Sequence, residues 1–362
     1  MKPVLSEPSP FETEKDASPV GEATAVPAAP RAKAHITILD GLRGIAALSV
    51  CLFHYTTGAL STFRHPIMQF VGHRGYLGVE IFFVISGFII PFALARSNYS
   101  LKKFGQFMVR RFVRIGPPAY LTMVIFAGVC FLVDYFHLTA SPFSKPITVP
   151  MLVHNLLFTI PFTTYQWING IFWTLSIEFE FYLVLGLLFP LLRKYSWGIM
   201  ALGLALSASY YIPGMPEQTL FHYNVLFTFG MATWLMFDKL ISRNYFFAVL
   251  ALFSVIGVFQ VTSAPVLAGV ATALAIIYLR FSNPVATFFG NISYSLYLLH
   301  IIVGATMELL LIRLIPVVNL ATVVLALIVC IGTAVGISYL FYRYVETPCM
   351  RLSGQLFRAK RA

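Results

Sequence analysis

The chain has 362 residues, of which 58% are hydrophobic and only 11% charged, with a formal net charge of +11 and a mean hydropathy of +0.80. A soluble domain carries about 25% charged residues, so this composition excludes an ordinary water-soluble globule and points to an integral membrane protein. The four cysteines, Cys51, Cys130, Cys330 and Cys349, show neither a disulfide framework nor a metal-binding spacing.

Residues 1–34 are dominated by Pro, Ala, Ser and Glu and contain no apolar run. They are expected to form a disordered tail that lacks a signal-peptide layout and is retained. Apolar runs then predict about ten transmembrane helices, at 37–58, 74–95, 115–136, 170–192, 196–212, 221–238, 245–261, 264–281, 286–312 and 319–342. The fold class is therefore an all-α integral membrane protein. The stretch 151–161, with Pro150 and Pro161 near its ends, is too short to cross and reads as an interfacial or re-entrant piece. Pro117-Pro118 is expected to keep the third helix from starting earlier as a straight helix. A membrane domain over 35–352 is followed by a short basic cytoplasmic tail, 353–362.

The basic residues orient these helices. With both termini cytoplasmic, the opposite side holds only Arg64, Arg74, Lys145 and Arg313, Arg43 lies within a span, and every other Lys and Arg faces the cytoplasm. This asymmetry follows the positive-inside rule, and the net charge then needs no nucleic-acid partner.

Within the first span, Arg43 and His54 are separated by eleven residues. On a helix that is three turns plus about 20°, so both side chains share one face, separated by about 16 Å of axial rise. Two ionisable groups on one face of a membrane helix are costly to hold there, and they point to a polar site running from Arg43, nearer the cytoplasm, to His54, nearer the outside. A packing histidine and a snorkelling arginine are the structural alternative. Asp40 is expected to pair with Arg43.

Glu80 falls in the outer half of the second span and is expected to orient the His54 imidazole. Ser86-Gly87 reads as a close-packing site. In the fourth span Thr174, Glu178 and Tyr182 share a face while Glu180 points about 200° away from Glu178, so the pocket is expected to receive Glu178, level with His54. In the ninth span Ser293, Tyr297 and His300 form a polar stripe, which suggests a cavity lining. Arg110, Arg111 and Arg114 precede the third span. Topology accounts for them, and their alternative use is to bind the phosphates of a cytoplasmic cofactor.

These strings together resemble the acyltransferase-3 family of membrane proteins. The motifs are Leu39-Asp40-Gly41-Leu42-Arg43 through Phe53-His54, Phe82-Phe83-Val84-Ile85-Ser86-Gly87-Phe88, Arg110-Arg111-Phe-Val-Arg114-Ile-Gly-Pro117-Pro118, Trp173-Thr-Leu-Ser-Ile-Glu178, Ser293-Tyr-Ser-Leu-Tyr-Leu-Leu-His300 and Val345-Glu346-Thr347-Pro348. They run in family order from about residue 36 to 352. The resemblance implies an enzyme that transfers an acyl group, usually acetyl from acetyl-CoA, to a hydroxyl of a surface carbohydrate or related acceptor, such as lipopolysaccharide, exopolysaccharide or peptidoglycan. It implies a place in the bacterial cytoplasmic membrane.

The family's Arg-x10-His pair maps to Arg43 and His54, the Glu of its Trp-Thr-Leu motif to Glu178, and its late Tyr/His motif to Tyr297 and His300. Position 80 is Glu where the family often has Asp, which changes reach but not charge. Some members carry an extracytoplasmic hydrolase-like domain that this sequence lacks, so the membrane unit is expected to act alone or with a partner. The expected site has His54, Arg43, Glu178 and Glu80 as catalytic residues, and Arg43, Arg110, Arg111 and Arg114 against acyl-CoA. Trp173, Thr174, Tyr182, Tyr297 and His300 line the substrate pocket. No metal and no resident cofactor are expected, acyl-CoA being a co-substrate, and the partners are a carbohydrate or glycolipid acceptor and the lipid bilayer. His54 is read as a general base or a transient acyl carrier. The rival class is a transporter or flippase of lipid-linked saccharides that uses the same charges as a path. No inverted repeat is visible in the sequence.

Overall fold

A computed structural model describes residues 36–58, 62–137, 147–281, 283–315 and 317–357. The expected tail of residues 1–34 lies outside them. Among the described residues all regular structure is helical. The α-helices are α1 (Ile38–Thr57), α2 (Pro66–Gly72), α3 (Gly78–Ala95), α4 (Phe104–Tyr135), α5 (Val149–Leu156), α6 (Phe172–Lys194), α7 (Gly198–Tyr210), α8 (Leu220–Phe237), α9 (Arg243–Val261), α10 (Ser263–Tyr278), α11 (Pro284–Leu314), α12 (Leu320–Phe341) and α13 (Thr347–Gln355).

Among the described residues eight helical stretches are long and apolar enough to cross a membrane, and α7 and α10 are shorter apolar helices. Phe131, Val124, Leu187, Leu325, Ile328 and Leu340 stand exposed on the outside of the bundle. So many large apolar side chains facing outward suit contact with lipid rather than water. The 151–161 stretch holds the eight-residue α5 and a 3-10 turn at Ile160–Phe162, neither of which is long enough to span.

Two expected boundaries differ. Helix α4 starts eleven residues earlier than the predicted third span and carries Pro117 and Pro118 in its interior. Proline removes a ladder N–H, but the apolar surroundings leave the chain no better way to satisfy the remaining backbone groups than to stay helical. In the same turn the Tyr294 hydroxyl donates to the Ile115 carbonyl at 2.8 Å and ties α4 to α11. The expected tail from residue 353 begins inside α13. There the buried Ser353 hydroxyl donates to the Arg110 carbonyl at 2.7 Å.

Close approach of backbones sets the core. Helices α3 and α8 cross at Gly87 and Gly230. A Cβ on Gly87 would lie 2.4 Å from the Phe227 carbonyl oxygen, and one on Gly230 would lie 2.2 Å from that of Val84. Small residues at such crossings let helices gain van der Waals contact that lipid cannot supply. Helices α1 and α11 approach equally closely, since a Cβ on Gly290 would lie 2.6 Å from Asp40 Cα.

Gly87→Val is expected to lower the thermal unfolding midpoint of the detergent-solubilised protein, at an overpacking cost of about 1–3 kcal/mol or more. Gly128→Val, where a Cβ meets nothing within 4 Å, is expected to leave the midpoint unchanged.

Candidate active site

Helix α1 carries both Arg43 and His54, and its contact with α11 decides what His54 meets. The buried Tyr55 hydroxyl donates to the His300 carbonyl at 2.7 Å. The Tyr55 ring fits against Gly304, where a Cβ would lie 2.3 Å from a ring carbon. This register places the His54 and His300 rings with centroids 5.1 Å apart and planes at 41°.

His300 is 1% exposed. Its Nδ1 lies 2.7 Å from the Tyr297 carbonyl oxygen, which can only accept, so the hydrogen-bond network assigns the proton to Nδ1. In the neutral ring the lone pair is then on Nε2, a buried atom with no hydrogen-bond partner among the described residues. The Tyr297 hydroxyl shares a 2.7 Å hydrogen bond with Thr174 and donates to the Ile171 carbonyl at 3.2 Å. His54, His300, Tyr297 and Thr174 thus form one polar group at the His54 end of the bundle. Ser293, expected on the same stripe, instead donates locally to the Gly290 carbonyl at 2.7 Å.

A second polar group lies at the Arg43 end. Arg43 is within electrostatic reach of Arg114 and of the carboxylates Glu346, Asp40 and Glu178. Arg111 lies beside Tyr182 and Glu178, with its guanidinium carbon 5.5 Å from the Tyr182 ring centroid and 5.6 Å from that of Phe107. Glu178 accepts from Ser86 at 3.1 Å and from the Tyr182 hydroxyl one turn along its own helix. Among the described residues no protein hydrogen bond or ion pair occupies the guanidinia of Arg43, Arg111 or Arg114, which are only partly buried. Their N–H forks are therefore open to a ligand.

The geometry corrects three sequence expectations. Glu178 lies one turn from Thr174, bonds to Ser86 and Tyr182 and acts on both Arg43 and Tyr297; among the described residues it makes no hydrogen bond or ion pair to His54. Glu80 lies in the first turn of α3 and lines a cavity with Trp173 and Tyr223. Among the described residues it makes no ion pair or hydrogen bond to His54, whose near neighbour is an imidazole. Arg110, unlike Arg111 and Arg114, is occupied by a backbone carbonyl. Its Nε and Nη2 donate to the Leu356 carbonyl at 3.1 and 2.5 Å, fastening α13 to α4. Glu180, judged to face elsewhere, does so by accepting from the Leu220 N–H at 2.7 Å.

One residue of the second group escaped the site reading although its motif was recognised. Glu346 is 2% exposed, accepts from Ser295 at 2.6 Å, and faces Arg43 and Arg114. It closes a single π-helical turn, Tyr342–Glu346, between α12 and α13. Such turns recur at functional sites, and the sequence signal was an acidic residue at the end of a long apolar run.

Against these features, the sequence model of the acyltransferase-3 family, described as an acyltransferase domain, matches residues 36–343. The chain therefore belongs to the acyltransferase-3 family, and it is a multi-pass membrane protein. It is 24% identical over 373 residues to a Staphylococcus aureus (strain COL) protein that carries the name of an O-acetyltransferase, with 87% of this chain and 57% of that one covered. It is 28% identical over 163 residues to a peptidoglycan O-acetyltransferase of Listeria monocytogenes, with 41% of this chain and 23% of that one covered. The chain spans about half the length of the Staphylococcus relatives it matches. No solved structure matches it.

Glu346→Ala leaves the buried Ser295 hydroxyl without its 2.6 Å acceptor and removes a carboxylate from the field of Arg43 and Arg114, and is expected to cost about 1–3 kcal/mol of folded stability. The same loss should not follow from Arg96→Ala, because the Arg96–Asp238 pair at 2.9 Å is exposed at its arginine (43%) and worth about 1 kcal/mol or less. Thermal unfolding of both variants in one detergent checks the contrast.

Proposed function

We propose that the protein is a membrane O-acyltransferase that moves an acyl group, acetyl in the simplest case, from acyl-CoA to a hydroxyl of a carbohydrate acceptor. The observation that carries this is the division of α1. One end places Arg43 among unoccupied guanidinia, and the other places His54 beside a second, fixed imidazole. The names of the Staphylococcus and Listeria relatives support acetyl transfer, and the second supports a glycan acceptor.

Coenzyme A is strongly anionic at one end and carries its thioester at the tip of a long, thin arm. Arg43, Arg111 and Arg114 suit the phosphates, since a guanidinium fork binds phosphate bidentately. The rise of about 16 Å between Arg43 and His54 is then bridged by the arm. At the far end His54 takes the proton from the acceptor hydroxyl as its oxygen forms a C–O bond to the thioester carbonyl carbon. Collapse breaks the C–S bond, and the proton passes from His54 to the departing thiolate. CoA leaves as the thiol, the acceptor as the ester, and His54 ends as it began. The alternative order passes the acyl group through His54 itself and needs the same two sides. His300, held as the Nδ1–H tautomer, keeps a lone pair beside His54 for a proton in either order.

The basic residues fit a chain with ten spans, α7 and α10 included, and both termini cytoplasmic, so that the Arg43 end meets cytoplasmic acyl-CoA. The proposed location is a bacterial cytoplasmic membrane.

In membranes supplied with labelled acetyl-CoA, His54→Ala is expected to lower acyl transfer at least about 10²-fold, and full transfer by this variant would overturn the assignment. For the orientation, a cysteine at Glu217 should react with an impermeant maleimide in intact cells, and one at Lys239 only after lysis. The reverse pattern would invert the topology.

A further inference from the structure

At the His54 end a cavity of about 240 Å³ is lined by residues that include Tyr76, Glu80, Trp173, His222, Tyr223 and Thr262. Glu80 is 5% exposed, yet among the described residues its Oε2 has no hydrogen-bond partner, and neither has the buried Nδ1 of His222. The rings of Trp173 and Tyr223 stand 5.3 Å apart at 39° and supply an aromatic wall. Thr262 sits at φ 73°, ψ 175°, a region that a β-branched residue adopts only when its surroundings force it and that clusters at functional sites.

Buried polar groups in native proteins are satisfied, so two residues of one cavity lining that each carry an unpartnered polar atom call for a ligand that hydrogen-bonds to both side chains. An acyl chain fails this test, because it would bury the Glu80 carboxylate against hydrocarbon. A quaternary ammonium would draw on the aromatic wall and the negative charge but would hydrogen-bond to neither atom. A sugar ring meets all three features. Its hydroxyls donate to a carboxylate and either donate to or accept from an imidazole, while its C–H face packs on an aromatic ring. Pockets for drug-sized ligands measure about 300–1,000 Å³, so this smaller cavity suits one ring.

A relay of aromatic rings connects the cavity lining to the imidazole pair. Tyr76 stacks edgewise on Phe53 at 5.8 Å, and Phe53 on His54 at 5.1 Å. Trp173 precedes Thr174, which is bonded to Tyr297, and the Glu80 charge reaches the hydroxyls of Tyr297 and Tyr223.

We propose that this cavity is the acceptor subsite and holds a single saccharide ring, with Glu80 and His222 binding its hydroxyls and Trp173 packing on its face. The assignment rests on the acyl-transfer reading above for the word acceptor, but sugar binding can be measured without any transfer. The test is saturation-transfer NMR on the full chain in nanodiscs, with methyl β-glucoside and N-acetylglucosamine as probes and tetramethylammonium as competitor.

Ring-proton signals are expected from the wild-type protein for at least one sugar. They should weaken at least about fivefold in Glu80→Gln and in His222→Ala, as loss of a hydrogen bond to a ligand predicts. His222 is half-buried at the start of α8, so its truncation tests the site even where a change at Glu80 disturbs folding. Absence of signals in the wild type, equal signals in both variants, or displacement by tetramethylammonium overturns the subsite. Sugar binding that persists while His54→Ala retains full transfer would sink the catalytic reading and leave the subsite standing.

Discussion

The contact between α1 and α11 is the constraint on which the rest depends. It is built from absences of side chain as much as from bonds: Gly290 lets α11 come against Asp40, and Gly304 lets it come against the Tyr55 ring. The Tyr55 hydroxyl then fixes the register by donating to the His300 carbonyl. In a bilayer no hydrophobic driving force favours one helix pair over another, so close packing and a hydrogen bond of this kind must choose the partner. Once chosen, this register brings His54 and His300 together, and the same α11 sends Tyr297 to Thr174 and Tyr294 to the Ile115 carbonyl.

The two polar groups of the interior have different electrostatic characters. At the Arg43 end, guanidinia and carboxylates are interleaved: Arg43, Arg111 and Arg114 with Asp40, Glu178 and Glu346. The mixture holds several charges within the bundle at a tolerable cost because each lies in the field of opposite ones. In the group of His54, His300, Tyr297 and Thr174 the polar atoms are imidazole, phenol and hydroxyl, suited to moving a proton rather than binding an anion, with the Glu80 carboxylate as the charged group at that end. A single helix joins the two ends, which is the arrangement that the proposed transfer from an anionic donor to a hydroxyl acceptor would use.

Much of this was legible from sequence spacing. The eleven-residue interval sets Arg43 and His54 on one face, and the four-residue intervals of α6 set Thr174, Glu178 and Tyr182 in a line that the hydrogen bonds of Glu178 and Tyr297 follow. Spacing gave contacts between helices less well. Glu178 was expected beside His54 and bonds instead to Ser86 and Tyr182, because tilt and register between helices, not position within one, decide which side chains meet. Glu346 shows a related limit: its motif stood out, but only the π-helical turn and the Ser295 hydrogen bond reveal that it points into the arginine group. Arg110 and Arg111 are adjacent in sequence and alike in type, and they part company because the Leu356 carbonyl of the C-terminal segment takes Arg110 while Arg111 lies beside Tyr182 and Glu178.

The sequence by itself determined that the chain is a helical membrane protein, that costly charges recur on particular helix faces, and that its motifs follow one family's order. Those properties depend on composition and on the period of a single helix, which a bilayer enforces locally by requiring each backbone group to be satisfied within its own segment. Only the tertiary structure decided which faces meet. It paired His54 with His300 rather than with Glu80, gathered Glu346 and Glu178 around the arginines, and turned Glu80 and His222 into one cavity. These outcomes arise from close approach at glycines and from a few interhelical hydrogen bonds, which no spacing along one strand of sequence encodes.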